Sequence, residues 1–133
     1  MSTRAIYSFI DATDTHHVYV HYDGYPSGAA AYFKQWLDSG LSWTLPRFEA
    51  DEAAAGFVAA NKTGQGGVRL VKNRTDCVDV EYGYRISLNK DNRLCVQCVT
   101  TNYWDVLHEE VIFDGDMDTF IMNAEQIEEN TNA

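Results

Sequence analysis

An unbroken two-residue period over residues 78–88 constrains the fold of this chain more than any other feature. Apolar side chains alternate there with charged, small or polar ones, and the apolar members are Val78, Val80, Tyr82, Tyr84, Ile86 and Leu88. Such a period predicts a β-strand with one buried and one solvated face. Residues 89–92 have the composition of a hairpin turn, so residues 94–100 are predicted to return beside this strand.

Hydrophobic periodicity and turn residues place the other elements. Further strands are predicted at residues 5–10, 16–22 and 104–113, the last with a bulge or break near 108–110, and a turn at 114–116. An added short strand at residues 68–71 is an alternative that the pattern leaves open. Helices are predicted from Pro26 to Gly40, at about 48–61, and along a final apolar stripe of Met117, Phe120, Ile121, Ala124 and Ile127.

This order of elements contains no repeated βαβ units. It therefore predicts an α+β fold with a mainly antiparallel sheet of about five strands and two to three helices packed on one face. The chain has 133 residues, of which 45% are hydrophobic, enough for one buried core. A single domain is expected over residues 1–129, followed by a frayed tail at 130–133.

Membrane, secreted and metal-binding classes are disfavoured. No run approaches the roughly 18 apolar residues of a membrane span, and no apolar signal segment follows Met1, so a cytoplasmic protein is expected. The odd cysteine count predicts reduced thiols at Cys77, Cys95 and Cys98. Cys95 and Cys98 have C-x-x-C spacing, but residues three apart on a strand point to opposite faces. No metal and no cofactor is expected.

The segment His21–Ala30 is the best candidate site, because it stands where a strand should turn into a helix. His21 and Asp23 would share one strand face, where a carboxylate can orient an imidazole and raise its pKa. Arg4, holding Asp23, and Tyr25 complete the candidate catalytic group. Under the favoured, structural interpretation, the segment is only a corner, and Arg4 and Asp23 form an ion pair. The chain has no serine or cysteine in a recognisable nucleophile elbow.

The glycine-rich segment at residues 64–67 precedes a predicted strand, whereas the glycine loop of a P-loop protein precedes a helix. The spacing of the basic residues that follow also differs from that motif. As a flexible loop with positive charge nearby, this segment could still hold an anionic ligand. Four of the ten basic residues lie around it: Lys62, Arg69, Lys72 and Arg74.

Charge is distributed unevenly along the chain, which has a formal net charge of −10. All basic residues lie between Arg4 and Arg93, whereas the segment after Arg93 carries nine acidic residues: Asp105, Glu109, Glu110, Asp114, Asp116, Asp118, Glu125, Glu128 and Glu129. They form either a solvated surface that aids solubility or a surface that binds a basic protein partner. Direct nucleic-acid binding is disfavoured, since phosphate is repelled by this charge.

The N-terminal residues resemble a family of small uncharacterised proteins encoded by phages and by bacterial, including prophage, genomes. The resemblance rests on Ser2-Thr3-Arg4-Ala5-x-Tyr7 followed by Tyr19-x-His21-Tyr22-Asp23-Gly24-Tyr25-Pro26-x-Gly28-Ala29-Ala30. The family pattern is a Thr-Arg start and a His-(aromatic)-Asp-Gly-Tyr-Pro-x-Gly box, so the resemblance covers about the first 35 residues. It implies a small phage- or mobile-element-encoded protein in the host cytoplasm and implies no particular activity.

Two functions follow as hypotheses. The favoured one is a non-enzymatic protein that binds a basic partner through the acidic residues, for instance to inhibit a host defence factor. The alternative is a small enzyme or ligand-binding domain with its site at the corner around His21 and Asp23. The first is preferred because the sequence shows no nucleophile, base and oxyanion-stabilising group in a recognisable arrangement. The sequence does not indicate the oligomeric state.

Overall fold

Aromatic and β-branched residues form the strands, and alanine-rich amphipathic segments form the helices. A computed structural model describes residues 2–41, 48–77, 79–102 and 105–132, without side-chain detail at 102, 105–107 and 132. The elements are β1 Arg4–Ile10, β2 Thr15–Val20, α1 Pro26–Asp38, α2 Ala50–Asn61, β3 Val68–Val71, β4 Val80–Leu88, β5 Leu94–Asn102, β6 Asp105–Asp116 and α3 Met117–Asn132. A single 3-10 turn at Arg74–Asp76 lies between β3 and β4.

The six strands form one mixed sheet in the order β3-β2-β1-β4-β5-β6. Four of the five strand pairs are antiparallel, and β1 and β4 are parallel. The α+β class is thus confirmed, whereas a count of about five strands is one too few. The parallel pair arises because the chain leaves β3 at one edge and crosses to β4 on the far side of β1. Periodicity identifies strands but does not say which edges pair.

All three helices cover one face of the sheet, as predicted. Tyr7 of β1 is the centre of the core, with its ring stacked on that of Tyr84 at a centroid distance of 4.9 Å and packed against Phe33 and Phe57. α1 contacts both α2 and α3. The alternation is confirmed from Tyr82 onward, since Tyr82, Tyr84 and Ile86 are buried in the main core. Val80 is also buried but packs with Ile6 in a separate cluster, because the register with β1 shifts beside it. Val78 lies outside the described residues.

Several predicted boundaries differ from the structure. Residues 114–116 belong to β6 and form no turn, because they pair with Gln97, Val96 and Cys95 of β5 before α3 begins at Met117. α2 begins at Ala50, two residues later than expected. α3 extends to Asn132. The irregularity of β6 is confirmed, with register shifts on both sides of residues 109–111.

Two helices receive their N-terminal caps from distant elements. Neither the Tyr25 nor the Glu49 side chain caps the helix that follows it. In α1, the Ser27 amide and hydroxyl both donate to Glu128 of α3, at 3.0 and 2.8 Å. In α2, the Ala50 amide donates to Asp11 of the β1–β2 turn at 2.8 Å. These carboxylates fix the helix starts against the sheet, and the N-terminus of α1 borders the candidate site.

Candidate functional site

The predicted strand-to-helix corner is present between β2 and α1. After Val20, the His21 amide donates to the Gly67 carbonyl at 2.8 Å, so the corner is tied to the glycine-rich loop. Asp23 then adopts a left-handed conformation with φ of 57°, and the Gly24 amide donates to the Thr3 carbonyl at 2.9 Å. The chain has turned within five residues, and Pro26 starts α1.

Gly28 makes this corner possible by its lack of a side chain. A Cβ at position 28 would overlap the carbonyl oxygen of Asp23 and lie 2.9 Å from the Asp23 Cβ. The first turn of α1 therefore packs directly on the backbone of the corner. This close approach explains why the His21–Ala30 segment has a glycine at position 28.

The four candidate catalytic residues do not form one cluster. The His21 Nδ1 is hydrogen-bonded to the Tyr19 hydroxyl at 2.7 Å, and the Tyr25 hydroxyl donates to Asp23 at 3.0 Å. Arg4 forms an ion pair with Asp79 at 3.2 Å, so the expected pairing of Arg4 with Asp23 is wrong. His21 and Asp23 are separated because β2 ends at Val20 and the backbone of Asp23 is left-handed. Asp23 therefore leaves the strand face that it was expected to share with His21.

A groove runs along this corner and joins it to the glycine-rich loop. Its first part is a depression of about 520 Å³ whose lining includes Tyr19, His21, Tyr22, Arg69 and residues 63–67. A second depression of about 450 Å³ is lined by Asp23, Tyr25 and the first turns of α1. Both parts share Tyr32, Asn61 and Thr63. Together they form a continuous groove around Tyr32, which we call the corner groove.

Pairing between β2 and β3 assembles this groove. Val20 lies opposite Val68 and Tyr19 opposite Arg69, which places the loop before β3 beside the residues that follow β2. The sequence patterns place Arg69 near the loop but do not connect the loop with the His21–Ala30 segment, and they give no signal for Tyr32 as a site residue. The predicted strand at 68–71 was the available signal, but its partner strand was unknown.

One end of the corner groove is cationic. The Arg69 guanidinium lies over the Tyr19 ring, 4.7 Å from its centroid, in a cation–π contact. The Lys62 ammonium donates to the carbonyls of Gly66 and Val68 at 3.1 and 2.6 Å, which holds the loop against β3. Gly66 adopts φ of 74°. A Cβ at position 66 would meet nothing within 4 Å, so the space beside this glycine is open.

The middle and the other end of the groove are aromatic and acidic. The Tyr22 side chain is 56% exposed, and its ring meets that of His21 edge-on at a centroid distance of 4.7 Å. The Tyr32 hydroxyl donates to the Tyr22 carbonyl at 3.0 Å. Burial raises the pKa of Tyr19 and of Tyr32, so both phenols stay neutral at physiological pH. Asp23 supplies the carboxylate at the far end.

The C-terminal acidic residues are divided among several surfaces. Glu109 accepts from Arg74 and Arg85 on the sheet face opposite the helices, with distances of 2.5–2.6 Å. Asp116 pairs with Arg93 at 3.7 Å, and Glu128 caps α1. The exposed members are Glu110, Asp114, Asp118, Glu125 and Glu129. The Asp105 side chain lies outside the described part of the chain.

The Cys95 and Cys98 thiols and the His17 ring have structural surroundings. Cys98 faces the core opposite Tyr84, and Cys95 lies opposite Ser87, so the expected opposite orientation is confirmed. Burial raises the pKa of the Cys98 thiol to about 12, and burial also raises that of Cys95. The His17 ring is hydrogen-bonded to the Ser8 hydroxyl at 2.7 Å. Within the described residues, no three His, Cys, Asp or Glu side chains are arranged to hold a metal ion.

No protein-family model, no curated protein and no solved structure matches this chain. The described helices include none that is long and apolar enough to cross a membrane.

Proposed function

We propose that this protein is a non-enzymatic binding domain whose ligand occupies the corner groove. The observation that carries the proposal is the convergence of two separately predicted features, the His21–Ala30 box and the glycine-rich loop, on one depression. Its volume of about 520 Å³ lies within the usual range of ligand sites, roughly 300–1,000 Å³. Arg69, Tyr22 and Asp23 supply a cation, a flat ring and an anion along its length.

Hydrogen bonding in the groove supports binding without catalysis. A general base needs a proton of the substrate or of a nucleophile within reach, and a nucleophile needs such a base beside it. Here the His21 ring and the Asp23 carboxylate each have a tyrosine hydroxyl as partner. No serine, threonine or cysteine among the described groove residues has a hydrogen bond to His21.

The test is a fragment screen by protein-observed NMR on the full chain. Fragments of mixed charge should shift the amides of His21, Tyr32 and residues 64–69. A bulky Thr63→Trp variant should abolish these shifts, because Thr63 lines both parts of the groove. Thr119→Trp, at an exposed position of α3, is the matched control and should retain them. Hits that map elsewhere, or that survive Thr63→Trp, would contradict the proposal.

A second candidate function is the binding of a basic protein partner through the outer surface of α3. Met122 is 83% exposed, and it lies between acidic residues at helical spacing: Asp118, Glu125 and Glu129. An exposed apolar side chain within a charged rim is typical of protein interfaces. The resemblance to phage proteins makes a host defence factor a candidate partner.

This second function is tested by affinity capture from host lysate with charge-reversed variants. A variant with Asp118→Lys, Glu125→Lys and Glu129→Lys should lose a partner that has a basic surface. A control with Glu110→Lys and Asp114→Lys, which are exposed acids on β6, should retain it. Recovery of the same partner by both variants would rule out recognition by the α3 surface.

A further inference from the structure

Arg69 differs from the other described arginines in its lack of a carboxylate partner. Arg4, Arg74, Arg85 and Arg93 each form an ion pair at 2.5–3.7 Å. No carboxylate in the described part of the chain pairs with Arg69, although the protein carries twenty acidic residues. Its guanidinium is held on the Tyr19 ring and lines the corner groove. Its side chain also has the Cys77 thiol as a hydrogen-bond partner. A guanidinium that is held in place without a carboxylate is suited to bind an anion of a ligand.

The glycine-rich loop beside Arg69 adds to this anion site. A Cβ at Gly64, Gly66 or Gly67 would meet nothing within 4 Å, so the space beside these three Cα atoms is open. Gly66 and Gly67 have positive φ values of 74° and 44°, a conformation in which loop N–H groups can form an anion-binding concavity. Lys62 contributes a second positive charge behind the loop. Phosphate is the anion that Arg and glycine loops bind most readily.

The rest of the groove fits the remaining parts of a nucleotide. The exposed Tyr22 ring and the half-buried Tyr32 ring offer flat surfaces on which a base can stack. Asp23 and Gln35, at the far end, can accept hydrogen bonds from an exocyclic amino group of the base. Cation, ring and acceptor thus follow one another in the order of contacts to the phosphate, the base ring and the outer edge of the base.

We infer that the corner groove binds a single phosphorylated nucleoside, with its phosphate between Arg69 and residues 64–67 and its base against Tyr22 and Tyr32. This inference rests on the proposed binding function and names its ligand class. A mononucleotide fits better than a nucleic-acid strand, because the net charge of −10 repels a polyanion while one phosphate needs only the local cationic end.

The test is an NMR titration of the full chain with the four ribonucleoside 5′-diphosphates. At least one should shift the amides of residues 64–69 and of Tyr22. The matching nucleoside and inorganic phosphate, added separately, should each bind at least about tenfold more weakly. Arg69→Gln should weaken binding by about tenfold or more, and Tyr22→Ala should remove the preference for the nucleotide over inorganic phosphate. Arg93→Gln, which changes an exposed arginine outside the groove, should leave affinity unchanged.

Four results would overturn the inference. Inorganic phosphate that binds as tightly as the diphosphates would exclude a base site, and a single-stranded oligonucleotide that binds more tightly than they do would indicate a polymer. If no diphosphate shifts the groove amides while neutral fragments do, the nucleotide class is wrong and the binding function stands. If nothing shifts them, both proposals fail. Urea unfolding of each variant checks that the lost affinity is not lost folding.

Discussion

At the scale of single residues, Gly28 makes the closest backbone approach among the described glycines, because a Cβ there would lie 2.0 Å from the Asp23 carbonyl oxygen. A glycine inside a helix usually lowers stability relative to alanine, by about 1 kcal/mol. Here the sign should reverse, because an added Cβ would overlap the Asp23 carbonyl oxygen. We predict that Gly28→Ala lowers the free energy of unfolding by about 1–3 kcal/mol. Urea unfolding followed by far-UV circular dichroism measures the change.

Gly64→Ala is the control for that substitution. Position 64 belongs to the same groove, but a Cβ there would contact nothing within 4 Å. Its unfolding midpoint should stay close to that of the wild type. A Gly28→Ala variant as stable as Gly64→Ala would mean that α1 does not pack on the corner as described.

Residue-level chemistry could be predicted only in part from the sequence. The corner, the helix start at Pro26 and the presence of His21 and Asp23 near one another follow from residue types alone. The hydrogen-bond partners of His21 and Asp23 could not be predicted in this way, because the left-handed backbone at Asp23 turns its side chain toward Tyr25. A positive φ at a non-glycine residue depends on tertiary contacts, here on the Gly24 hydrogen bond to Thr3.

At the scale of elements, α1 depends on a carboxylate that lies 101 residues away in the chain. Glu128 of α3 accepts both hydrogen bonds of Ser27. Glu128→Gln keeps an acceptor but removes the charge that favours a helix N-terminus, and Glu128→Ala removes the cap itself. We predict losses of about 0.5 kcal/mol for the first and about 1–2 kcal/mol for the second. The exposed neighbour Glu129→Ala, measured by the same urea titration, should change little. Equal effects at both positions would exclude the cap.

Asp11 links the start of α2 to the acid stability of the fold. Backbone amides of Ala50, Thr13 and Asp14 donate to its carboxylate and hold its pKa well below the ordinary value. A carboxyl with a lowered folded-state pKa stabilises the protein above its unfolded pKa of about 4, and this contribution is lost as the pH falls further. We predict that Asp11→Asn lowers the urea midpoint at pH 7 and flattens its decrease between about pH 4 and 2. Asp14→Asn, an exposed substitution in the same turn, should keep the wild-type slope. An unchanged slope in Asp11→Asn would contradict this assignment.

Most elements could be predicted from periodicity, since a half-buried strand or helix must repeat its apolar residues at the period of its own geometry. The wrong predictions concern segments in which tertiary contacts outweigh the preference of the local residues. Asp114-Gly115-Asp116 consists of turn-forming residues, but its backbone pairs with β5 and is therefore extended. The remote caps at Ser27 and Ala50 have no local sequence pattern, because their carboxylates belong to other elements.

At the scale of the whole molecule, the crossover between β3 and β4 determines both the sheet and the groove. It places β1 and β4 at the centre and leaves β3 and β6 at the edges. The pairing of β3 with β2 then completes the groove by bringing the glycine-rich loop to the corner. No pattern within one segment indicates this arrangement, which explains why the sequence predicted the fold class but divided the site into two unrelated parts.

The sheet order also predicts where the protein opens most readily. Five consecutive residues of β1, Ala5–Phe9, are buried, and the strand is paired on both edges. β3 has four residues and one partner strand, and its Leu70 is 67% exposed. Local opening should therefore release β3 without disturbing β1 and β4. We predict that hydrogen-bonded amides of β3 exchange at least about tenfold faster than those of Tyr7 and Tyr84, as measured by native-state hydrogen exchange. Equal protection of β3 and β1 would mean that this edge opens only with global unfolding, and that the loop and Arg69 are held as rigidly as the core.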